Sequence, residues 1–234
     1  MSRRTDDVPW SAEPAGDGWH MGMLARAADD SDPPASGRWF HDPSPVIKLG
    51  GSLLRLPDWP RRVRLLLDAL GGSPAIVVGG GTVVDGIRAI DATIGERSDG
   101  LDALVHRLAI EAMGITARLA AHAVGLPLAE EIPVAAAGRP AVVLDTPAWL
   151  SRDDRLAALP TGWHVTSDSI SAAVAAECGR GLLLAKSVPP PPCPDGDRPA
   201  RIASLAAAGW VDRFFPAAAG GLRFIAWAAP LPEA

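Results

Sequence analysis

Tyrosine is absent from this sequence of 234 residues, and cysteine occurs only twice, at Cys178 and Cys193. The first absence removes phenolic general acids and leaves Lys, His and carboxylates as candidates for chemistry. Two isolated cysteines build neither a disulfide framework nor a Cys-rich zinc site, which fits a reducing compartment. No apolar run reaches the ~18 residues of a membrane span. The stretch Met1 to Trp10 lacks the apolar core of a secretory signal. A cytoplasmic protein without a membrane partner is therefore expected. Positive charge is not in excess either. The net charge of −5 and a pI near 5.5 give no general attraction to nucleic acid, so any anion site must be local.

Several motifs are missing as well. There is no GxxxxGK[ST], and a GxGxxG reading from Gly79 and Gly81 fails because Val84 stands where glycine is required. The Gly-x-Ser-x-Gly nucleophile elbow is absent, and no His, Cys or carboxylate cluster has metal-ligand spacing. A serine hydrolase and a zinc enzyme are thereby disfavoured.

What is present is a regular alternation of short apolar runs with longer helical segments, beginning at Pro45. It predicts a mainly parallel sheet covered by helices. Strands are expected over Pro45–Leu49, Pro74–Val78, Ile132–Ala136, Ala141–Leu144, Gly181–Val188 and Leu222–Trp227. Helices are expected after Asp58 as N-cap, after Gly81, over Leu101–Val124, near Trp149, from Ser167, and over Ala200–Ala208. In the long helix, Leu104, Leu108, Ala112, Ile115 and Leu119 form the expected core face. With 48% hydrophobic residues the chain can fill one α/β core, so residues 45–234 read as a single domain with a Pro-rich loop at 189–199.

Residues 1–44 are rich in Asp, Pro, Gly and Ser and offer one helical stretch, Met21 to Ala28. They read as an extension that is either mobile or docked through Trp10, Trp19, Trp39 and Phe40.

The chemistry-bearing residues gather at strand ends. Lys48 precedes Gly50, Gly51 and Ser52, and the second strand runs into Gly79, Gly80 and Gly81. In a parallel sheet both glycine clusters lie at the carboxyl edge, where open α/β sheets bind ligands. The helix after Gly81 aims its free N–H groups there, which suits an anion. The alternative is that the glycines only permit tight turns, and that Lys48 is an edge residue reaching water. Asp168, in the first turn of its helix, either complements the helix dipole or orients a catalytic lysine. Lys186 repeats the placement of Lys48. His106, one turn after Asp102, is either a helix-face histidine or a substrate contact.

Taken together, Val46-Ile47-Lys48-Leu49-Gly50-Gly51-Ser52, Val77-Val78-Gly79-Gly80-Gly81 and Thr166-Ser167-Asp168-Ser169-Ile170-Ser171-Ala172 resemble the amino-acid kinase superfamily. The resemblance covers about residues 45–188. It implies a three-layer αβα sandwich like that of carbamate kinase, with ATP and Mg²⁺ as cofactors and a small-molecule acceptor. By position, Lys48 would neutralise the transferring phosphoryl group and Asp168 would orient the lysines. Gly50, Gly51, Ser52 and Gly79, Gly80, Gly81 would hold phosphate, with His106 on the substrate. Lys186, Ser167 and Ser187 would lie against the nucleotide. The family precedent also implies a homo-oligomer.

The segment Asp102–Met113 and the ending Val211-Asp212-Arg213-Phe214-Phe215-Pro216 are similar to a subgroup containing the aminomethylfuran phosphate kinase of methanofuran biosynthesis. That similarity implies a phosphate-bearing substrate in one-carbon cofactor biosynthesis. One departure opens an alternative. Where the superfamily continues into a nucleotide loop, this chain has Pro189-Pro190-Pro191-Pro192, which offers no N–H donors. A non-catalytic binding or assembly protein with a degenerate nucleotide site is the competing expectation.

Overall fold

A computed structural model describes residues 13–15, 18–26, 44–134, 139–193 and 197–231. Eight strands form one sheet in the order β1-β2-β8-β7-β3-β4-β6-β5. They are β1 (Glu13–Ala15), β2 (Trp19–Arg26), β3 (Val46–Leu49), β4 (Ala75–Val78), β5 (Leu128–Ala129), β6 (Val142–Leu144), β7 (Leu182–Ala185) and β8 (Phe224–Pro230). From β8 to β5 every pairing is parallel, while β2 runs antiparallel to β8 and β1 antiparallel to β2.

The helices are α1 (Trp59–Leu70), α2 (Gly81–Asp91), α3 (Asp99–Val124), α4 (Thr146–Leu150), α5 (Ser167–Glu177), α6 (Arg198–Ala207) and α7 (Phe215–Ala218). They cover the sheet on both sides. Strand residues alternate between the faces. Ile47, Leu49, Ile76, Val78 and Leu183 pack with Val63 and Leu66 of α1 and with Ala117, Ala120 and Ala121 of α3. Val46, Val77, Leu182 and Leu184 pack with Ile170 and Val174 of α5, Ile202 and Leu205 of α6, and Phe215 of α7. The result is the three-layer αβα sandwich that the sequence led us to expect. Lys48 alternates with Ile47 and Leu49, so its side chain emerges on the α5 side. No helix among the described residues is long and apolar enough to cross a membrane.

Four expectations are corrected. The described part of Met21–Ala28 is not helical, because Trp19–Arg26 is strand β2. Trp19, only 2% exposed, donates its indole N–H to the Arg62 carbonyl at 2.9 Å and ties β2 to α1. Strand alternation places Met21 in one core and Leu24 in the other, and the ladder to β8 shifts register between Met23 and Ala25. Trp10, Trp39 and Phe40 lie outside the described residues.

Second, Ile132–Val134 has no regular structure, and the strand of this region is β5, earlier in the chain. Residues 135–136 lie outside the described residues. Third, Asp58 occupies the N-cap position of α1 with a left-handed backbone (φ 53°), but its side chain makes no capping hydrogen bond.

The fourth correction concerns α3. Leu104, Leu108, Ile115 and Leu119 are exposed, and the helix turns Ala112, Ala117, Ala120 and Ala121 to the core. Val105, Ile110, Met113 and Val124 are buried beside these alanines, which let the helix lie close to the sheet, while Leu104, Leu108, Ile115 and Leu119 turn outward.

Candidate functional site

Lys48 is 6% exposed on the central strand β3, and the chain reverses immediately after it through Gly50 and Gly51. The Gly50 N–H donates to the Ala185 carbonyl at 2.8 Å, which locks this turn to the end of β7. Strand β7 stops at Ala185, shorter than expected, so Lys186 is the first residue past the strand. Its N–H donates to the Ala228 carbonyl at 2.9 Å. Both lysines therefore leave the carboxyl edge of adjacent parallel strands.

Asp168 meets them from above the edge. It sits in the first turn of α5, capped by Thr166. Lys48 Nζ lies 2.8 Å from Asp168 Oδ1, and Lys186 Nζ lies 2.8 Å from Asp168 Oδ2. One carboxylate is thus divided between two ammonium groups, a charge-assisted arrangement that fixes both lysine termini. Lys186 also donates to the Trp210 carbonyl and lies 4.7 Å above the Trp210 ring.

Burial alone would raise the Asp168 carboxyl, but Lys48 and Lys186 outweigh it and hold the group below the usual carboxylate range. Lys186 is driven the other way. Burial, then repulsion from Lys48, brings it down to about 8, against the opposing pull of Asp168 and Asp212.

The two glycine clusters stand in backbone contact. A Cβ on Gly51 would lie 2.3 Å from the Gly81 nitrogen, and one on Gly79 would lie 3.0 Å from Ser167 Oγ. Gly81 itself has φ +54°. Side chains at these points would force the loops apart, so glycine is a steric requirement here. Ser52 Oγ and Ser187 Oγ are 2.9 Å apart, joining the first loop to the chain beyond Lys186. The Thr116 hydroxyl of α3 donates to the Gly79 carbonyl at 3.1 Å. Lys48, Asp168 and Lys186 are brought into direct contact, and Gly50, Gly51, Ser52, Gly79, Gly80, Gly81, Ser167 and Ser187 are gathered on the loops around them.

His106 stands apart from that cluster. It lines a cavity of about 330 Å³ with Arg97, Asp102, Val105 and the loop Thr161–His164, and none of the two lysines or the loop glycines borders it. The Gly162 N–H donates to His106 Nδ1 at 3.4 Å, so the ring proton sits on Nε2, which is buried without a protein partner. Burial pushes the imidazole below its ordinary value and keeps it neutral.

Sequence reasoning missed two groups. The Trp210 carbonyl carries no residue-type signal. Asp212 follows it, and its carboxylate accepts from Thr166 and Ser169 on either side of Asp168. An isolated acid shortly before an apolar helical stretch was the available signal.

No family model matches this chain, and no curated protein matches it. Among solved structures it is similar to the uridylate kinase of Archaeoglobus fulgidus. The identity is 16% and the TM-score 0.48, over 78% of this chain and 99% of the other. A likeness at that level assigns no activity to this chain.

Proposed function

We propose that this protein is a small-molecule kinase that transfers the γ-phosphoryl group of ATP to a phosphate-bearing acceptor. The observation that carries the reading is the carboxylate of Asp168 shared between Lys48 and Lys186, at the mouth of two touching glycine loops. Phosphoryl transfer asks little covalent work of a protein. It needs positive charge and N–H donors held where negative charge shifts between donor and acceptor. Lys48 would face the transferring group, Lys186 the nucleotide phosphates, and the loop amides of Gly51, Gly80 and Gly81 the remaining oxygens, while Gly50, whose N–H is engaged by the Ala185 carbonyl, would hold the turn in place. Ser52, Gly79, Ser167 and Ser187 line the same mouth. His106 would lie against a more distant part of the substrate, in the cavity it lines with Arg97 and Trp163. Among the described residues no three His, Cys, Asp or Glu side chains are grouped to hold a metal. Mg²⁺ would therefore enter with the phosphates of ATP as its main ligands.

The motif resemblance narrows the acceptor to a phosphate monoester of methanofuran- or methanopterin-linked one-carbon cofactor biosynthesis, in the cytoplasm. The test is ADP formation by purified protein supplied with Mg²⁺, ATP and aminomethylfuran phosphate, with ³¹P spectra of the product. Turnover that disappears in Lys48→Ala supports the reading. Absence of any turnover on monoesters, with Lys48→Ala indistinguishable from wild type, rejects it.

One observation favours a second reading, a binding or assembly protein of kinase fold. After Val188, whose carbonyl accepts from the Trp210 indole at 3.3 Å, the chain enters Pro189–Pro192 and supplies no donors to a nucleotide. Calorimetry separates the two readings. Tight binding of Mg²⁺-ATP by wild type but not by Asp168→Ala favours the kinase.

We further propose that the protein is a homo-oligomer paired through α3. Leu104 and Leu119, and likewise Leu108 and Ile115, are placed symmetrically about the midpoint between Glu111 and Ala112. A two-fold axis there brings each leucine of one antiparallel helix onto its counterpart, the self-complementarity an isologous contact needs.

A further inference from the structure

We propose that Asp212 is a positioning residue, clamping the helix turn that carries Asp168 to the segment whose Trp210 carbonyl holds Lys186. The inference rests on the kinase reading only for its catalytic consequence. The clamp itself is defined by geometry. Asp212 Oδ2 accepts from the Thr166 N–H at 2.9 Å, the Thr166 hydroxyl at 2.8 Å and the Ser169 N–H at 3.0 Å. Asp212 Oδ1 accepts from the Ser169 hydroxyl at 2.5 Å and from the N–H groups of Phe214 at 3.0 Å and Phe215 at 2.9 Å.

Thr166 and Ser169 bracket Asp168. The Thr166 hydroxyl, while donating to Asp212, accepts from the Asp168 N–H at 3.4 Å. A continuous ring of bonds results. It runs from Lys186 to Asp168, through Thr166 and Ser169 to Asp212, and back along the chain to the Trp210 carbonyl that Lys186 also meets. An N-cap acid serves one helix. This carboxylate holds the first turns of α5 and α7 together, with the lysine-binding carbonyl two residues upstream. Moving Asp212 moves both anchors of Lys186 relative to each other.

The clamp has an electrostatic signature distinct from simple bracing. The charged groups facing Lys186 are Lys48 from β3, Asp168 from α5 and Asp212 from the α6–α7 connection. Removing the last takes away an anion that favours the ammonium form while the lysine stays buried.

The experiment uses the full chain and two variants, Asp212→Asn and Thr166→Val. The rate of Lys186 acylation by a water-soluble amine reagent is followed against pH by peptide mass spectrometry, with amide exchange at Asp168 and Ser169 in parallel. Wild-type Lys186 is expected to titrate near 8. In Asp212→Asn the midpoint falls below wild type, and Ser169 exchanges about tenfold faster, the weight of one lost hydrogen bond. Thr166→Val keeps Asp212 and its charge. It should leave the lysine midpoint in place while speeding exchange at Asp168. An unchanged midpoint in Asp212→Asn overturns the proposal. So does a rise toward the ordinary lysine range, which would mean that the site had merely opened. If Asp212→Asn does not fold, wild-type exchange at Asp168 in Thr166→Val overturns it by itself. Turnover of Mg²⁺-ATP is measured alongside. If wild type shows none, the kinase reading fails while the titration still decides the clamp.

Discussion

Lys48 Nζ lies 2.8 Å from Asp168 Oδ1, with each side chain only 7% exposed, and the contact joins the central strand to the first turn of a helix in the layer above. Ions so placed are costly to bury unless they are paired. This pair, with Lys186 on the second oxygen, is the electrostatic centre of the carboxyl edge.

Replacing Lys48 by Ala removes the cation aimed at the transferring group. Asp168 then keeps one ammonium partner, so the fold is retained. Under the kinase reading, turnover of Mg²⁺-ATP falls by about 10² to 10³, the size associated with one lost transition-state donor. Steady-state kinetics with a circular dichroism control checks this. An intact fold with unchanged turnover would contradict the assignment of Lys48.

Replacing Asp168 by Ala has the larger structural effect, because two buried lysines lose their common counter-ion. Destabilisation of about 3–5 kcal/mol is expected, the cost of breaking a buried ion pair. Urea titration at neutral pH measures it. A loss below about 1 kcal/mol would show that the lysines relax to water and that the cluster is not a rigid device.

The pH dependence of stability and of activity should diverge above neutrality. Lys186 is lowered from 10.5 to about 8 in the folded chain. Between those values the unfolded state binds the additional proton, so the contribution of Lys186 makes stability rise with pH. Activity needing the Lys186 ammonium falls over the same interval. Asp168, held below its ordinary value, adds stability that is present above 3.8 and lost as acid protonates it in the folded state. Chemical denaturation and turnover measured from pH 7 to 10 test the divergence. Parallel decline of both would count against it.

The outward face of α3 can be tested without reference to chemistry. Leu108→Glu or Ile115→Glu puts a charge in the middle of the symmetric apolar stripe. The oligomer should dissociate while the unfolding midpoint of the monomer hardly changes, since both positions are exposed. Sedimentation velocity over a concentration series reads the mass. A monomeric wild type, or an oligomer indifferent to both charges, removes α3 as the contact.

Much of this arrangement could be read from residue types. The alternation of apolar runs with helices, Lys48 before its glycines, and Asp168 at a helix start were visible because each rests on local rules. Other parts depend on what packs where. The hydrophobic period of α3 selects Leu104, Leu108, Ile115 and Leu119 as the inner face, yet close approach to β4 and β6 requires alanines, and the leucines are turned out. Strand β2 was hidden because Trp19–Arg26 has no clean alternation, and its register shift breaks what period there is. Asp212 stands in a segment whose residue types name no partner for it. Its role appears when a turn far along the chain folds back beneath Thr166 and Ser169.

Strand β2 pairs along its length with β8, from Trp19 opposite Pro230 to Arg26 opposite Phe224, and β8 also borders β7. During synthesis β2 leaves the ribosome early, long before its partner exists. Its edge toward β8 must wait, with only β1 on the other side, until residues 224–230 have been translated. Lys186, whose N–H is held by Ala228 of β8, waits with it. The lysine–aspartate centre is therefore completed only when β8 enters between β2 and β7.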